Sequence, residues 1–123
     1  MLRVLVCGSR FYTDKYKVWK VLDLVQAEEN EPIIVIEGRC TKGGADMFAG
    51  QWATKNLPIE NHLQFPADWH KYKKSAGPIR NRQMLIEGKP DLVLAFGGRD
   101  GTGTNHMVAI SKAAGLDPVE FDR

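Results

Sequence analysis

No stretch of this sequence stays apolar long enough to cross a bilayer. Even the run Ile33 to Ile36 stops at Glu37, whereas a spanning helix needs about 20 residues. The opening segment Met1-Leu2-Arg3-Val4-Leu5-Val6-Cys7 is too short for a secretory signal and reads as a first strand, so a cytoplasmic location is expected. Cysteine is scarce. Cys7 and Cys40 are the only two, and a whole supersecondary unit separates them. That spacing fits neither a disulfide framework nor a zinc site, and reduced thiols are expected. His62, His70 and His106 show no metal-ligand spacing with each other or with the cysteines, so no metal site and no histidine catalysis are expected. Charge of one sign is also lacking. The formal net charge of +2 argues against a nucleic-acid partner, which normally faces a concentrated basic surface. The one basic cluster, His70-Lys71-Tyr72-Lys73-Lys74, reads as a solvated loop.

What remains is the composition of an ordinary globular chain: 43% hydrophobic and 26% charged residues leave no argument for disorder or a collagen-like repeat. A chain of 123 residues can bury roughly two-thirds of its unfolded surface, enough for a single core spanning residues 1–123. Five β-rich runs alternate with helix-period segments: Leu2 to Cys7, Pro32 to Ile36, His62 to Phe65, Asp91 to Phe96 and Pro118 to Phe121. Val18, Val21, Leu22 and Val25 share one face of a first helix, with Asp14 as its cap. Ala45, Phe48, Ala49, Trp52 and Ala53 make the stripe of a second, which runs from the Gly43-Gly44 pair to about Asn56. A third is expected from near Pro78 to Ile86, ending by Gly88, and a fourth from about Thr104 to Gly115. Trp19 and Trp52, both on helices, read as core or interface residues. Alternation of this kind predicts an α/β fold with right-handed crossovers: a Rossmann-like three-layer α/β/α sandwich on a five-stranded parallel sheet of order 3-2-1-4-5. The longest irregular stretch is Pro66 to Gly77.

In such a sheet every strand-to-helix loop emerges on the same edge. Three of them are glycine-rich: Gly8-Ser9-Arg10, Gly43-Gly44-Ala45-Asp46, and Gly97-Gly98-Arg99-Asp100-Gly101-Thr102-Gly103-Thr104. A lone glycine pair after a strand is more often a tight turn than a site. Three together on the ligand-binding edge point to a phosphate, because glycine admits close backbone approach while free amides and positive helix ends favour an anion. Thr102 and Thr104 supply hydroxyls and Arg10 a bidentate cation. No Walker A pattern and no Gly-x-Gly-x-x-Gly follows strand 1, which removes support for ATP hydrolysis and dinucleotide redox chemistry. The Pro66 to Gly77 stretch can act as a lid on that edge. In it Trp69 or Tyr72 can stack on a base, although Trp69 serves equally as a staple to the core. Arg80, expected with Asn81 in the first turn of the third helix, can pair with phosphate or with Asp46. Glu37 can contact a ribose or pair with Arg39 or Arg10, the second being favoured.

Taken together, Gly8-Ser9-Arg10 with Asp14, Glu37-Gly38 leading to Gly44-Ala45-Asp46, Pro66-Ala67-Asp68-Trp69, Ala76-Gly77-Pro78-Ile79-Arg80-Asn81, and Gly97-Gly98 leading to Gly103-Thr104 resemble the YspA-like branch of the SLOG superfamily. The resemblance spans nearly the whole chain and implies a Rossmann-like fold and a nucleotide-related ligand, in domains that occur in phages and bacterial conflict systems and whose relatives commonly assemble into homo-oligomers. More distant relatives are DprA and the LOG phosphoribohydrolases, which cleave a nucleotide N-glycosidic bond and carry Pro-Gly-Gly-x-Gly-Thr followed by a glutamate. Here Phe96 replaces that proline, Arg99 to Thr102 lengthen the loop, and Asn105, His106 and Met107 follow Gly103-Thr104. With no glutamate in place, Asp46, Asp68 and Asp100 are the carboxylates left for such chemistry. The leading expectation is a sensor or binding module for a nucleotide derivative. A nucleotide-processing hydrolase or glycosyltransferase is the alternative, and an interaction protein with a vestigial pocket a third. Mg²⁺ can accompany a phosphate ligand; the sequence requires no other cofactor.

Overall fold

A computed structural model describes residues 1–97 and 102–122, apart from the side chain of Thr102. Gly98, Arg99, Asp100 and Gly101 of the third glycine loop therefore lie outside the described residues. Strands β1 (Arg3–Gly8), β2 (Ile34–Glu37), β3 (His62–Gln64), β4 (Leu92–Phe96) and β5 (Val119–Phe121) form one all-parallel sheet of order β3-β2-β1-β4-β5. That is the α/β, Rossmann-like order the alternation predicts.

Side-chain alternation assigns the two faces. Val4 and Val6 of β1 point with Val35, Leu94 and Phe96 toward helices α1 (Lys15–Ala27) and α2 (Ala45–Asn56). Leu5 and Cys7 point the other way, with Ile36, Val93 and Ala95, toward α4 (Ala76–Gly88) and α5 (Thr102–Ala113). Val18 and Leu22 of α1 and Ala49, Trp52 and Ala53 of α2 are buried as their stripes require, and each large side chain so buried is worth about 1.5–3 kcal/mol. Trp52 also satisfies its indole N–H on Asp23 at 2.8 Å, and Trp19 donates to the Phe48 carbonyl at 2.9 Å. Asp14 caps α1 by accepting from the Lys17 amide at 3.1 Å. Among the described residues no helix is long and apolar enough to cross a membrane.

Two expectations need correction. The stretch from Pro66 to Gly77 is largely helical. Asp68 caps the short helix α3 (Trp69–Tyr72), accepting from the Lys71 amide at 3.0 Å, and a 3-10 turn (Lys73–Ser75) leads directly into α4. The run of lysines hid this, because a four-residue helix has no room for an apolar stripe. Helix α4 consequently starts at Ala76 rather than near Pro78, which moves Arg80 and Asn81 out of the first turn, where a positive charge opposes the helix dipole.

The first strand meets α2 with no room to spare. A Cβ on Gly8 would lie 2.6 Å from the Phe96 carbonyl oxygen and 2.8 Å from the Ala45 Cβ. Gly8→Ala is expected to destabilise the fold by about 1–3 kcal/mol through overpacking, read as a lower urea midpoint at unchanged m-value; an unaltered midpoint would contradict this packing.

Candidate functional site

At the carboxyl ends of the strands lies a cleft of about 720 Å³. It is lined by Gly8 at the end of β1 and by Ser9 and Arg10 after it, by Gly38 to Gly43 and Asp46 after β2, by Pro66, Ala67 and Trp69 after β3, and by Arg80, Asn81, Gly103 and Thr104 from α4 and α5. Ten of the residues singled out from the sequence thus meet around one space: Gly8, Ser9, Arg10, Gly43, Asp46, Trp69, Arg80, Asn81, Gly103 and Thr104.

Gly44 and Gly97 contribute differently, as spacers behind the wall. Gly44 has φ +86°, and a Cβ there would stand 2.4 Å from the Ser9 carbonyl oxygen and 2.5 Å from the Arg10 Cα. Only glycine lets the first two loops pack this closely. At Gly97, φ +98°, a Cβ would press on the Tyr12 ring at 3.2 Å. The helices behind the loops also differ. The α1 start is capped by the chain's own Asp14, whereas α2 begins at Gly44 with no side-chain cap. The first amides of an α-helix have no partner inside it, so of these two helices it is α2 whose start, flanked by the cleft-lining Gly43 and Asp46, is left without a side-chain acceptor.

Asp46, one residue into α2, is only 9% exposed, and among the described residues its Oδ1 has no hydrogen-bond partner. Burial raises its pKa from 3.8 to about 7; the Arg80 charge and a hydrogen bond from the Gly38 backbone act against that rise, and Glu37 adds to it. Arg80 is aimed by two contacts, Nη1 donating to the Gly38 carbonyl at 2.7 Å and Nε to Asn81 Oδ1 at 3.1 Å. The Asn81 amide in turn donates to the Gly103 carbonyl and to His106 Nδ1, each at 3.1 Å. Accepting there requires a neutral imidazole, and burial together with the nearby Arg82 charge lowers the His106 pKa. Asn81 therefore pins the start of α5 to α4 and steers Arg80. Asp68 lies outside this constellation, capping α3 instead.

Glu37 takes the favoured of its two foreseen roles, as a partner of Arg39, and adds contacts that were not foreseen. It is 1% exposed, with Oε2 bonded to His62 Nε2 at 2.7 Å and accepting from Gln64 Nε2 at 2.9 Å, while Oε1 accepts from the Arg39 backbone amide. The Arg39 partner is its main-chain amide, and His62 and Gln64 of β3 join it on the same carboxyl group. Arg39 is thereby held at φ +51°, a left-handed conformation that costs a non-glycine residue on the order of 1–3 kcal/mol. Arg39, like Lys42 on the same loop, lines the cleft, and neither was singled out from the sequence as a ligand contact.

Two aromatic rings reach the cleft. Trp69 is 58% exposed and its ring tip lies against Gly77, where a Cβ would be 3.4 Å from Cη2. Phe11 is 75% exposed beneath the Arg10 guanidinium at 4.9 Å. Tyr72 is not part of the lining. Cys7 and Cys40 are free, both border the cleft, and burial pushes the Cys7 thiol far above its ordinary pKa, which makes it inert. Among the described residues no group of three or more acidic, histidine or cysteine side chains is placed to hold a metal ion.

Residues 2–72 match the model of a family described as the YspA, cpYpsA-related SLOG family. The chain is also 33% identical over 127 residues to the Gene 61 protein of Mycobacterium phage D29, an alignment covering 98% of this chain and 97% of that protein. No solved structure matches.

The raised Asp46 pKa has a definite sign. Because the folded value, about 7, exceeds the usual 3.8, the folded state holds this proton more tightly than the unfolded one. The stabilisation is complete below about pH 4 and is lost as pH rises through about 7, amounting to roughly 4 kcal/mol at most. Asp46→Asn, uncharged and of the same shape, is expected to lose less stability than the parent between about pH 5 and about pH 8. Urea unfolding at the two pH values measures it, and parallel losses in both proteins would refute the assignment.

Proposed function

The chain belongs to the YspA, cpYpsA-related SLOG family, and on that premise we propose that its cleft binds a nucleotide or nucleotide-derived phosphate ligand, as a sensor or binding module. The observation that carries this reading is the bare start of α2 at the cleft, opposite Ser9 and Arg10 and beside a buried Asp46 oxygen that has no protein partner. Helix-start amides and a guanidinium recognise phosphate oxygens. Asp46 Oδ1 suits a ribose hydroxyl, and exposed Trp69 offers a face on which a base can stack. Asn81 serves through Arg80 and through the fixed position of Gly103.

A second reading, turnover of the N-glycosidic bond of such a nucleotide, is favoured by Asp46 alone. A carboxyl with a pKa of about 7 can hold or release a proton near neutral pH, as acid–base catalysis requires. Chromatography of candidate nucleotides incubated with the protein separates the two. A free base and a sugar phosphate that vanish with Asp46→Asn in a folded variant would make it a hydrolase; intact nucleotides would leave the binding role.

Binding itself is tested by thermal shift against nucleoside phosphates, ADP-ribose and NAD. A ligand at about 100 times its Kd should add roughly 2.7 kcal/mol of stability. Arg10→Ala should weaken affinity by about tenfold to a hundredfold, the value of a charge-assisted hydrogen bond or two. Indifference to every nucleotide would overturn the proposal.

A further inference from the structure

The cleft concentrates positive charge in a chain that carries little overall. Among the described residues its lining holds Arg10, Arg39, Lys42 and Arg80 against a single carboxyl, Asp46, while the whole chain has a formal net charge of only +2. Among the described residues the close contacts between basic and acidic groups join the amino terminus to Glu31, the His62 ring to Glu37 and Lys112 to Glu120. None of them uses these four cations. Asp46 compensates little, because burial keeps part of it protonated at neutral pH.

Nor is the placement of Arg39 an accident of a loose loop. A buried carboxylate, itself held by His62 and Gln64, clamps its amide and keeps its backbone left-handed, so a specific framework fixes this cation at the rim. Arg39 and Lys42 stand just before Gly43-Gly44, on the loop that leads to the bare α2 start. A monophosphate brings about 1.5 to 2 negative charges, which leaves four cations undercompensated. Two linked phosphates come near to balance, one at Arg10 and the helix start, the next within reach of Arg39 and Lys42.

We propose that the ligand carries a pyrophosphate, as a nucleoside diphosphate or a longer pyrophosphate-linked nucleotide does, and that Arg39 and Lys42 form the subsite for its second phosphate. This rests on the reading of the cleft as a phosphate site. The probes are inorganic phosphate and inorganic pyrophosphate, titrated calorimetrically into the full chain at neutral pH and matched ionic strength. Pyrophosphate should bind at least about tenfold more tightly than phosphate. Arg39→Gly, which accepts φ +51° and removes only the cation, should erase most of that difference and leave phosphate affinity within about twofold. Lys42→Ala, at an exposed position, should reduce the difference in the same direction and decides the matter should Arg39→Gly not fold. Equal affinity for the two anions, or equal losses for both in the variants, would overturn the pyrophosphate subsite and leave the phosphate site standing. Binding of neither anion, together with indifference to nucleotides, would overturn both.

Discussion

A carboxylate taken out of water must be given partners or it destabilises what surrounds it, and the buried Glu37 at the end of β2 organises this edge of the molecule around that requirement. Its three contacts tie β3 to β2 through His62 and Gln64 and bend the chain sharply at Arg39. Room for the carboxylate comes from Gly50 of α2, where a Cβ would approach Oε2 to 2.9 Å. The turn at Gly38 and Arg39 then brings the Gly38 carbonyl to Arg80 and the Gly38 backbone to Asp46. The floor of the cleft is thus set by a group that does not line it.

The fold was legible because parallel strands buried on two faces leave a plain trace: short β-branched runs, helix-period stripes between them, and the topological limits on how they connect. The five strands appear within a residue or two of their expected positions, and Asp14 caps α1 as its position predicts. What failed was local and cooperative. The α3 segment owes its helix to the Asp68 cap and to α4 immediately after it, and a cap inside a lysine-rich stretch looks like part of a loop. The family match ends at residue 72, short of the Ala76 to Asn81 run that is the most specific part of the resemblance.

The site was legible to the extent that topology alone decides it. Loops after parallel strands share an edge, so the glycines and Arg10 had to come together. Which glycines face a ligand and which face the protein depends on distances of a few tenths of an ångström, and no pattern at Gly44 or Gly97 distinguishes a spacer from a contact. Arg39 and Lys42 were passed over because a basic residue in a loop carries no signal until its backbone is seen held at positive φ. The link from Glu37 to His62 was invisible for a different reason: it joins neighbouring strands across 25 positions of sequence, and a histidine without ligand spacing gives no sign of a carboxylate partner.

Several features that each carry a local cost gather at this edge. Helices α1 and α3 open on aspartate caps, whereas α2, like α4, opens with no side-chain cap, and of those two it is α2 whose start is flanked by the cleft-lining Gly43 and Asp46. Lys89 adopts a left-handed conformation at the end of α4, where helices ordinarily terminate that way, but Arg39 does so in a loop and needs Glu37 to hold it. Among the described residues Asp46 is buried with an oxygen unmatched, as are Tyr12 Oη and Ser111 Oγ, but of these three it is Asp46 that lines the cleft and carries a carboxyl. Each such feature is unfavourable by itself. Their meeting in one space has a common remedy, since an anion satisfies the bare amides and the clustered cations together and a neighbouring hydroxyl satisfies Asp46. Local violations that one ligand would resolve at once are what separates a binding site from a poorly packed corner.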